Sequence, residues 1–358
     1  MSVFPAEDEI LQKLRPLLKT AAEKLVEARK QNRFVLLRFH HDADGISAAL
    51  ALTQVIPCKA LPQNAAAYTA RDAVRDLSAL HHEERPLVIF LDFGSGPESM
   101  EGLQLLHAAS MEILIIDHHP PGPDTEKYAS LFINPWLMEK SEKASRYPAG
   151  YLACEVAQAA GAAEIDALAY ISCAGDKSDL LPVEKHHRDA ALVLDYLAMH
   201  SDYRSSLSFY KGVLKSKELF QSLLQQAGEK ISEITKEAQK QAREKQFGTV
   251  HVSMLDLSHL LARYNFPSRG KIATYLIERL PLDEPHIVIG YSGRFIVLRA
   301  NDAAMRHGIR LNVLVETLKS SMASFIESGG GHPKAAAIRV REGFLKEVVA
   351  AFLDLLDK

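Results

Sequence analysis

Cysteine is scarce in this chain of 358 residues: Cys58, Cys154 and Cys173 are odd in number and far apart in sequence. They support neither a disulfide framework nor, by themselves, a zinc knuckle, so a reducing cytoplasm is the expected setting. Uncharged apolar runs of the roughly 18 residues that a membrane span needs are missing, and no membrane association is expected. The N-terminus, Met1 to Glu9, is acidic and lacks a basic stretch leading into an apolar core, so no secretory signal is expected there. An excess of charge of one sign is missing as well, the formal net charge being -3 with a pI near 6.6. That balance excludes a uniformly basic nucleic-acid binder and confines any phosphate affinity to a local site.

What is present is ordinary for a globular protein: 47% hydrophobic and 24% charged residues, in a chain long enough for two domains. From about residue 33 to 180, short aliphatic runs alternate with Ala-rich stretches, the pattern of βαβ units around a parallel sheet. Helices are expected over Ile46 to Val55, just after Gly45, and over Ala149 to Ala160 and Glu164 to Ala174. Between Tyr203 and Gln246 there is no strand signal, and Leu219, Phe220, Leu223, Leu224, Ile231 and Ile234 recur at helical spacing with a charged, solvated opposite face. Strand alternation resumes over Thr249 to Met254, His286 to Tyr291 and Phe295 to Arg299. The expected fold class is therefore α/β, with domains at 1–200 and 248–358 and a helical connector over 201–247.

Three apolar runs end in carboxylates or imidazoles. Phe34 to Leu37 leads to His40-His41-Asp42-Ala43-Asp44-Gly45, Leu87 to Leu91 leads to Asp92, and Ile113 to Ile116 leads to Asp117-His118-His119. If these runs are neighbouring parallel strands, their carboxyl ends line the crevice where ligands of open α/β sheets bind. Asp176, after the helical stretch Ala167 to Gly175, joins the set. Carboxylates with imidazole suit hard-to-borderline ions such as Mn²⁺ or Mg²⁺. Two such ions about 3.5 to 4 Å apart can clamp the attacking and leaving oxygens of a phosphoryl centre, and Asp92, central in the series, is the candidate bridge. His81-His82 and His186-His187 lie in polar contexts and read as solvated. Gly94-Ser95-Gly96 lacks the spacing of a hydrolase nucleophile elbow.

The series His40-x-Asp42-x-Asp44-Gly45, Asp92-x-Gly94, Asp117-His118-His119 and Gly175-Asp176 resembles the four motifs of the DHH phosphoesterase superfamily, and Gly329-Gly330-Gly331-His332 resembles the signature of its DHHA1 domain. The nearest branch is the RecJ-like single-strand nucleases of compact archaeal type. The resemblance implies two Mn²⁺ ions, with Mg²⁺ the alternative, held by Asp42, Asp44, Asp92, His118 and Asp176, with Asp92 bridging. His40 is a further candidate ligand. In some branches the first-motif histidine falls where this chain has Arg38, which cannot bind a metal. His119 is expected to touch the phosphate or orient His118. The three glycines, read as a loop, would let backbone amides approach a phosphate, with His332 adding a donor. Arg299 is a further substrate candidate, and Arg269 and Arg306 are possible clamps. Trp136 and Tyr147 either stack on a base or pack locally.

The resemblance further implies an active site in the cleft between a DHH domain and a DHHA1 domain. The expected function is exonuclease action on single-stranded DNA or RNA, in the manner of DNA-repair nucleases. A small-substrate phosphodiesterase for very short oligonucleotides, cyclic dinucleotides or 3′-phosphoadenosine phosphates is the alternative. A non-catalytic scaffold is disfavoured because every acidic motif is intact. Expected partners are single-stranded nucleic acid or short oligonucleotides, and replication or repair proteins such as a helicase.

Overall fold

A computed structural model describes residues 8–65, 67–200 and 206–357. Residues 1–7, which bear on the secretory-signal expectation, and 201–205, at the start of the expected connector, lie outside the described residues. The chain divides into two compact units, Met1–Leu224 and Gln225–Lys358. Among the described residues no helix is long and apolar enough to cross a membrane.

In the first unit, β1 (Val35–His40), β2 (Lys59–Gln63), β3 (Leu87–Leu91), β4 (Glu112–Ile116) and β5 (Leu131–Ile133) form one sheet in the order β2-β1-β3-β4-β5. All of its pairings are parallel. The continuous apolar runs follow from burial on both faces. Leu37, Phe39, Ile89 and Leu114 pack with helices Glu9–Lys30, Ala43–Leu52 and Ala149–Ala159, whereas Leu36, Val88, Phe90 and Ile115 meet helices Ala70–Leu80 and Met100–Ala108. Strand order reverses between β1 and β3, and in such sheets the crevice forms at the carboxyl ends beside that reversal. Asp42 and Asp92 stand just beyond those two strands, with Asp117 to His119 beyond neighbouring β4.

The helix expected from Ile46 starts earlier, at Ala43. Asp42 caps it, its Oδ1 accepting from the Gly45 amide at 3.0 Å, so that the first motif is itself the helix N-terminus. A Cβ on Gly45 would lie 2.1 Å from the His40 carbonyl oxygen. Only glycine allows the helix to start that close to the end of β1.

The second unit holds a mixed sheet: β6 (Arg243–Phe247), β7 (Val250–Asp256), β8 (His286–Ser292), β9 (Phe295–Ala300), β10 (Ile326–His332) and β11 (Ala335–Val340), in the order β10-β11-β9-β8-β7-β6. Only β7 and β8 run parallel. Helices Leu207–Lys215 and Lys217–Gln241 fill most of the segment that reads as helical, but it ends in a strand that the pattern did not reveal. The polar sequence of β6 hides it, because an edge strand with solvated, charged side chains shows no apolar alternation. The Gly329-Gly330-Gly331-His332 stretch is not a loop either: it lies in the edge strand β10, antiparallel to β11. Glycines are depleted in strands, which is why the sequence misleads. At Gly331 the need is specific, since φ is 143° and a Cβ would sit 2.4 Å from the Ala335 carbonyl oxygen.

The contact at Gly45 generates a test of the fold. Gly45→Ala should destabilise the first unit by roughly 3 kcal/mol or more, because rigid backbone must move. Gly228→Ala, at a helical position with open space around it, should stabilise by about 0.5 to 1 kcal/mol. Denaturant melts of both variants read the contrast, and equal effects would contradict it.

Candidate metal centre

Asp92 lies at the middle of the centre. It directly follows β3, is 2% exposed, and adopts a left-handed backbone with φ 64°, a conformation aspartate tolerates better than most side chains. Its two carboxylate oxygens face different groups. Oδ1 lies 3.3 Å from His118 Nε2, which is 3.0 Å from Asp176 Oδ2 and 4.0 Å from Asp44 Oδ2. Oδ2 lies 3.4 Å from His40 Nδ1, itself 2.8 Å from Asp42 Oδ2. Asp44, Asp92, His118 and Asp176 thus form one cluster of ligand-type atoms, His40, Asp42 and Asp92 form a second, and Asp92, His118 and His119 form a third, all three sharing Asp92. The geometry brings together every expected metal ligand, including His40.

The electrostatics fit a cation-binding centre. Burial and the nearby carboxylates of Asp92 and Asp176 push the Asp44 carboxyl well above its ordinary range. Burial opposes charging His118, but Asp176 and Asp92 outweigh it and raise its pKa. Asp92 Oδ1 is buried without a hydrogen bond from any described residue. Anions held this close repel one another unless a proton or a metal ion intervenes, and a coordinating ion can also satisfy the unpaired oxygen. The residues present therefore fit divalent ions of the oxygen-and-imidazole type.

The surrounding groups fix the ligands. Asp44 accepts from the Ala149 and Gly150 amides at 2.9 and 2.8 Å, anchoring to the N-terminus of helix Ala149–Ala159, and from Ser172 Oγ. Asp117 is not among the clustered ligand groups. Fully buried, it accepts from the Ser95 amide and hydroxyl at 3.2 and 2.6 Å, from the His118 and His119 amides, and from His119 Nδ1 at 2.8 Å. Its pKa is driven below the usual carboxylate range, burial being overcome by His119, His118 and Ser95. His119 keeps about half its side chain exposed, and Asp117 raises its pKa against desolvation, which leaves Nε2 as the ring nitrogen not committed to Asp117. Trp136 Nε1 donates to the His118 carbonyl and Asn134 Nδ2 to that of His119, so both side chains brace the Asp-His-His loop. Tyr147 is buried, donating to Asp8. Arg38 is buried with Gln63 and Asp76.

Sequence reasoning missed Ser172, 128 residues from its partner Asp44, and the clasp on His41. His41 Nδ1 meets Asn64 Oδ1 at 2.9 Å and Nε2 meets the buried Tyr210 hydroxyl at 2.6 Å. Neither pairing has a local spacing signal.

The substrate candidates lie in the second unit. Arg299 on β9 pairs with Ala335 on β11, which pairs with His332 on β10, so the three share one row on one face of the sheet. Arg299 donates from Nε to Thr274 Oγ1 and from Nη1 to the Leu298 carbonyl, both at 2.8 Å, and burial lowers its pKa. Gly329, Gly330 and Gly331 belong to the same edge strand as His332. The Arg269 guanidinium lies over the Phe295 ring at 4.2 Å, and Arg306 is exposed at the end of helix Asp302–Arg306.

Comparison with known proteins bears on the fold. Residues 34–175 match the DHH family, N-terminal domain. An uncharacterized protein of Methanocaldococcus jannaschii is 24% identical over 99% of this chain and 55% of its own length. The chain thus spans about half of that relative. The DHH domain of a protein described as a member of a family of ribosomal proteins superposes with a TM-score of 0.87 at 24% identity, covering 99% of this chain and 93% of that one. The exonuclease RecJ bound to manganese has a TM-score of 0.62 at 14% identity, covering 100% and 96%. These likenesses establish a DHH phosphoesterase fold and a RecJ-like two-domain architecture.

Asp117 gives the site's own test. Asp117→Asn places an amide donor against Ser95 and His119 donors, so Mn²⁺ affinity should fall by about 10 to 100-fold. Stability should fall by about 1 to 3 kcal/mol at neutral pH. Because the folded carboxyl titrates below its unfolded value, the wild-type advantage should persist above about pH 4 and fade as the pH drops further. Metal titration and melts across pH check this, and unchanged metal affinity would contradict the orienting role.

Proposed function

We propose that this chain is a metal-dependent phosphodiesterase that acts, with two Mn²⁺ ions, as an exonuclease on single-stranded DNA or RNA. The observation that carries the reading is Asp92, whose Oδ1 faces His118 and whose Oδ2 faces His40, so that it belongs to the ligand groups around both. The candidate ligands are Asp44, Asp92, His118 and Asp176 for one ion, and His40, Asp42 and Asp92 for the other, with Mg²⁺ an alternative occupant. Ions there would supply Lewis-acid activation of water and neutralise charge on the phosphoryl group.

The chain's own residues do the rest. His119, held at Nδ1 by Asp117, presents Nε2 to a non-bridging phosphate oxygen and stabilises negative charge that grows in the transition state. Asp44, clamped by two amides and a hydroxyl, keeps its carboxylate from swinging as substrate binds. In the second unit, the outward amides of edge strand β10, with His332 and Arg299, are the proposed phosphate contacts. Single-stranded nucleic acid is the proposed ligand, and an association with replication or repair proteins such as a helicase is a further proposal.

The length of the preferred substrate tests this reading. Catalytic efficiency with Mn²⁺ on end-labelled single strands should rise from two toward about ten nucleotides, and added salt should raise KM, because each engaged phosphate and base adds affinity. His332→Ala should raise KM while both ions remain bound, as elemental analysis can show. Efficiency that peaks at dinucleotides and collapses by about six nucleotides, or on a cyclic dinucleotide alone, would replace the exonuclease with the small-substrate phosphodiesterase.

A further inference from the structure

A second group of nitrogen and oxygen donors lies in the second unit, on residues the proposed phosphodiester chemistry does not use. His251 on β7 and His286 on β8 occupy directly paired positions on neighbouring parallel strands, and their rings stack with centroids 5.0 Å apart. Glu284, two residues before His286, brings Oε2 to 3.7 Å from His251 Nε2 and 3.6 Å from His286 Nε2. The His286 side chain is only 8% exposed, and neither of its ring nitrogens has a hydrogen bond among the described residues. An imidazole that buried should not leave both its donor and its acceptor unpaired, since each costs about 1 to 3 kcal/mol.

We propose that His251, His286 and Glu284 bind a Zn²⁺ ion, with water completing the shell. Two imidazoles and one carboxylate are a donor set that zinc favours over the harder Mn²⁺ or Mg²⁺. Tetrahedral zinc with bonds near 2.0 to 2.2 Å sets its ligand atoms roughly 3.3 to 3.5 Å apart, close to both imidazole-to-carboxylate separations. The imidazoles must also converge on each other. The His251 ring, its side chain 37% exposed, can turn to do so, whereas buried His286 sets the position. Burial and the neighbouring His251 lower the His286 pKa, which keeps its ring neutral and able to coordinate. The ion would tie the Glu284 turn to the starts of β7 and β8, a structural role independent of phosphodiester cleavage.

The test measures zinc bound to the full-length chain after equilibrium dialysis, by elemental analysis. His251→Ala and Glu284→Gln change exposed side chains, and each should bind one equivalent fewer than the wild type, or bind that equivalent about tenfold or more weakly. Asp92→Asn should retain it, which separates this site from the centre in the first unit. Mn²⁺-dependent turnover of His251→Ala should equal the wild type, whereas zinc should raise the melting temperature of the wild type and not of the variant. Identical zinc stoichiometry and affinity in wild type, His251→Ala and Glu284→Gln would overturn the proposal, whatever the outcome for the phosphodiesterase.

Discussion

The structure of the first unit depends on one electrostatic constraint: carboxylates crowded at the carboxyl edge of a parallel sheet, where they cannot all stay charged without a compensating cation. Asp44 and Asp92 are almost fully buried, and Asp176 and His118 press against the same point. The fold accepts this because other groups are arranged around it. Asp44 takes two amides from a helix N-terminus and a serine hydroxyl, and Asp117 is consumed by five donors that lock the Asp-His-His loop. The left-handed backbone at Asp92 falls at the same point, where Oδ1 faces His118 and Oδ2 faces His40.

Strand order turns this local chemistry into a site. Because β1, β3 and β4 are adjacent and parallel, groups 25 to 50 or more positions apart in sequence meet at one edge. Helix Ala43–Leu52 starts immediately at that edge, and Gly45 lets it do so. The tether from His41 to Asn64 and Tyr210 reaches the same motif from two other segments, so its backbone is held from several sides. Positional precision of this kind matters for phosphoryl chemistry, where small misplacements of reacting groups are costly.

Much of this was legible in the sequence, and for identifiable reasons. Long apolar runs buried on both faces signal parallel strands strongly, and Asp42, Asp92 and His118 directly after or beyond such runs had to lie on one edge once the strands were neighbours. His40 stood apart because its role depends on the turn after β1, which spacing does not specify. β6 and β10 were hidden for opposite reasons: one is polar because it is a solvated edge, the other is glycine-rich because Gly331 faces the Ala335 carbonyl. Asp117 reads like its neighbours in sequence, yet burial and its hydrogen bonds make it a support rather than a ligand. Contacts such as Ser172 with Asp44, or Tyr210 with His41, come from tertiary packing and leave no pattern along the chain.

The central claim is that Asp92 bridges two ions, and electron paramagnetic resonance of the Mn²⁺-loaded full chain tests it most directly. Two ions about 3.5 to 4 Å apart and sharing a carboxylate should give an exchange-coupled spectrum at two equivalents. Asp92→Asn, which retains the size of the side chain and tolerance for the left-handed backbone, should lose that coupling. A wild-type spectrum of isolated Mn²⁺ at every loading, or a single bound equivalent, would contradict the account.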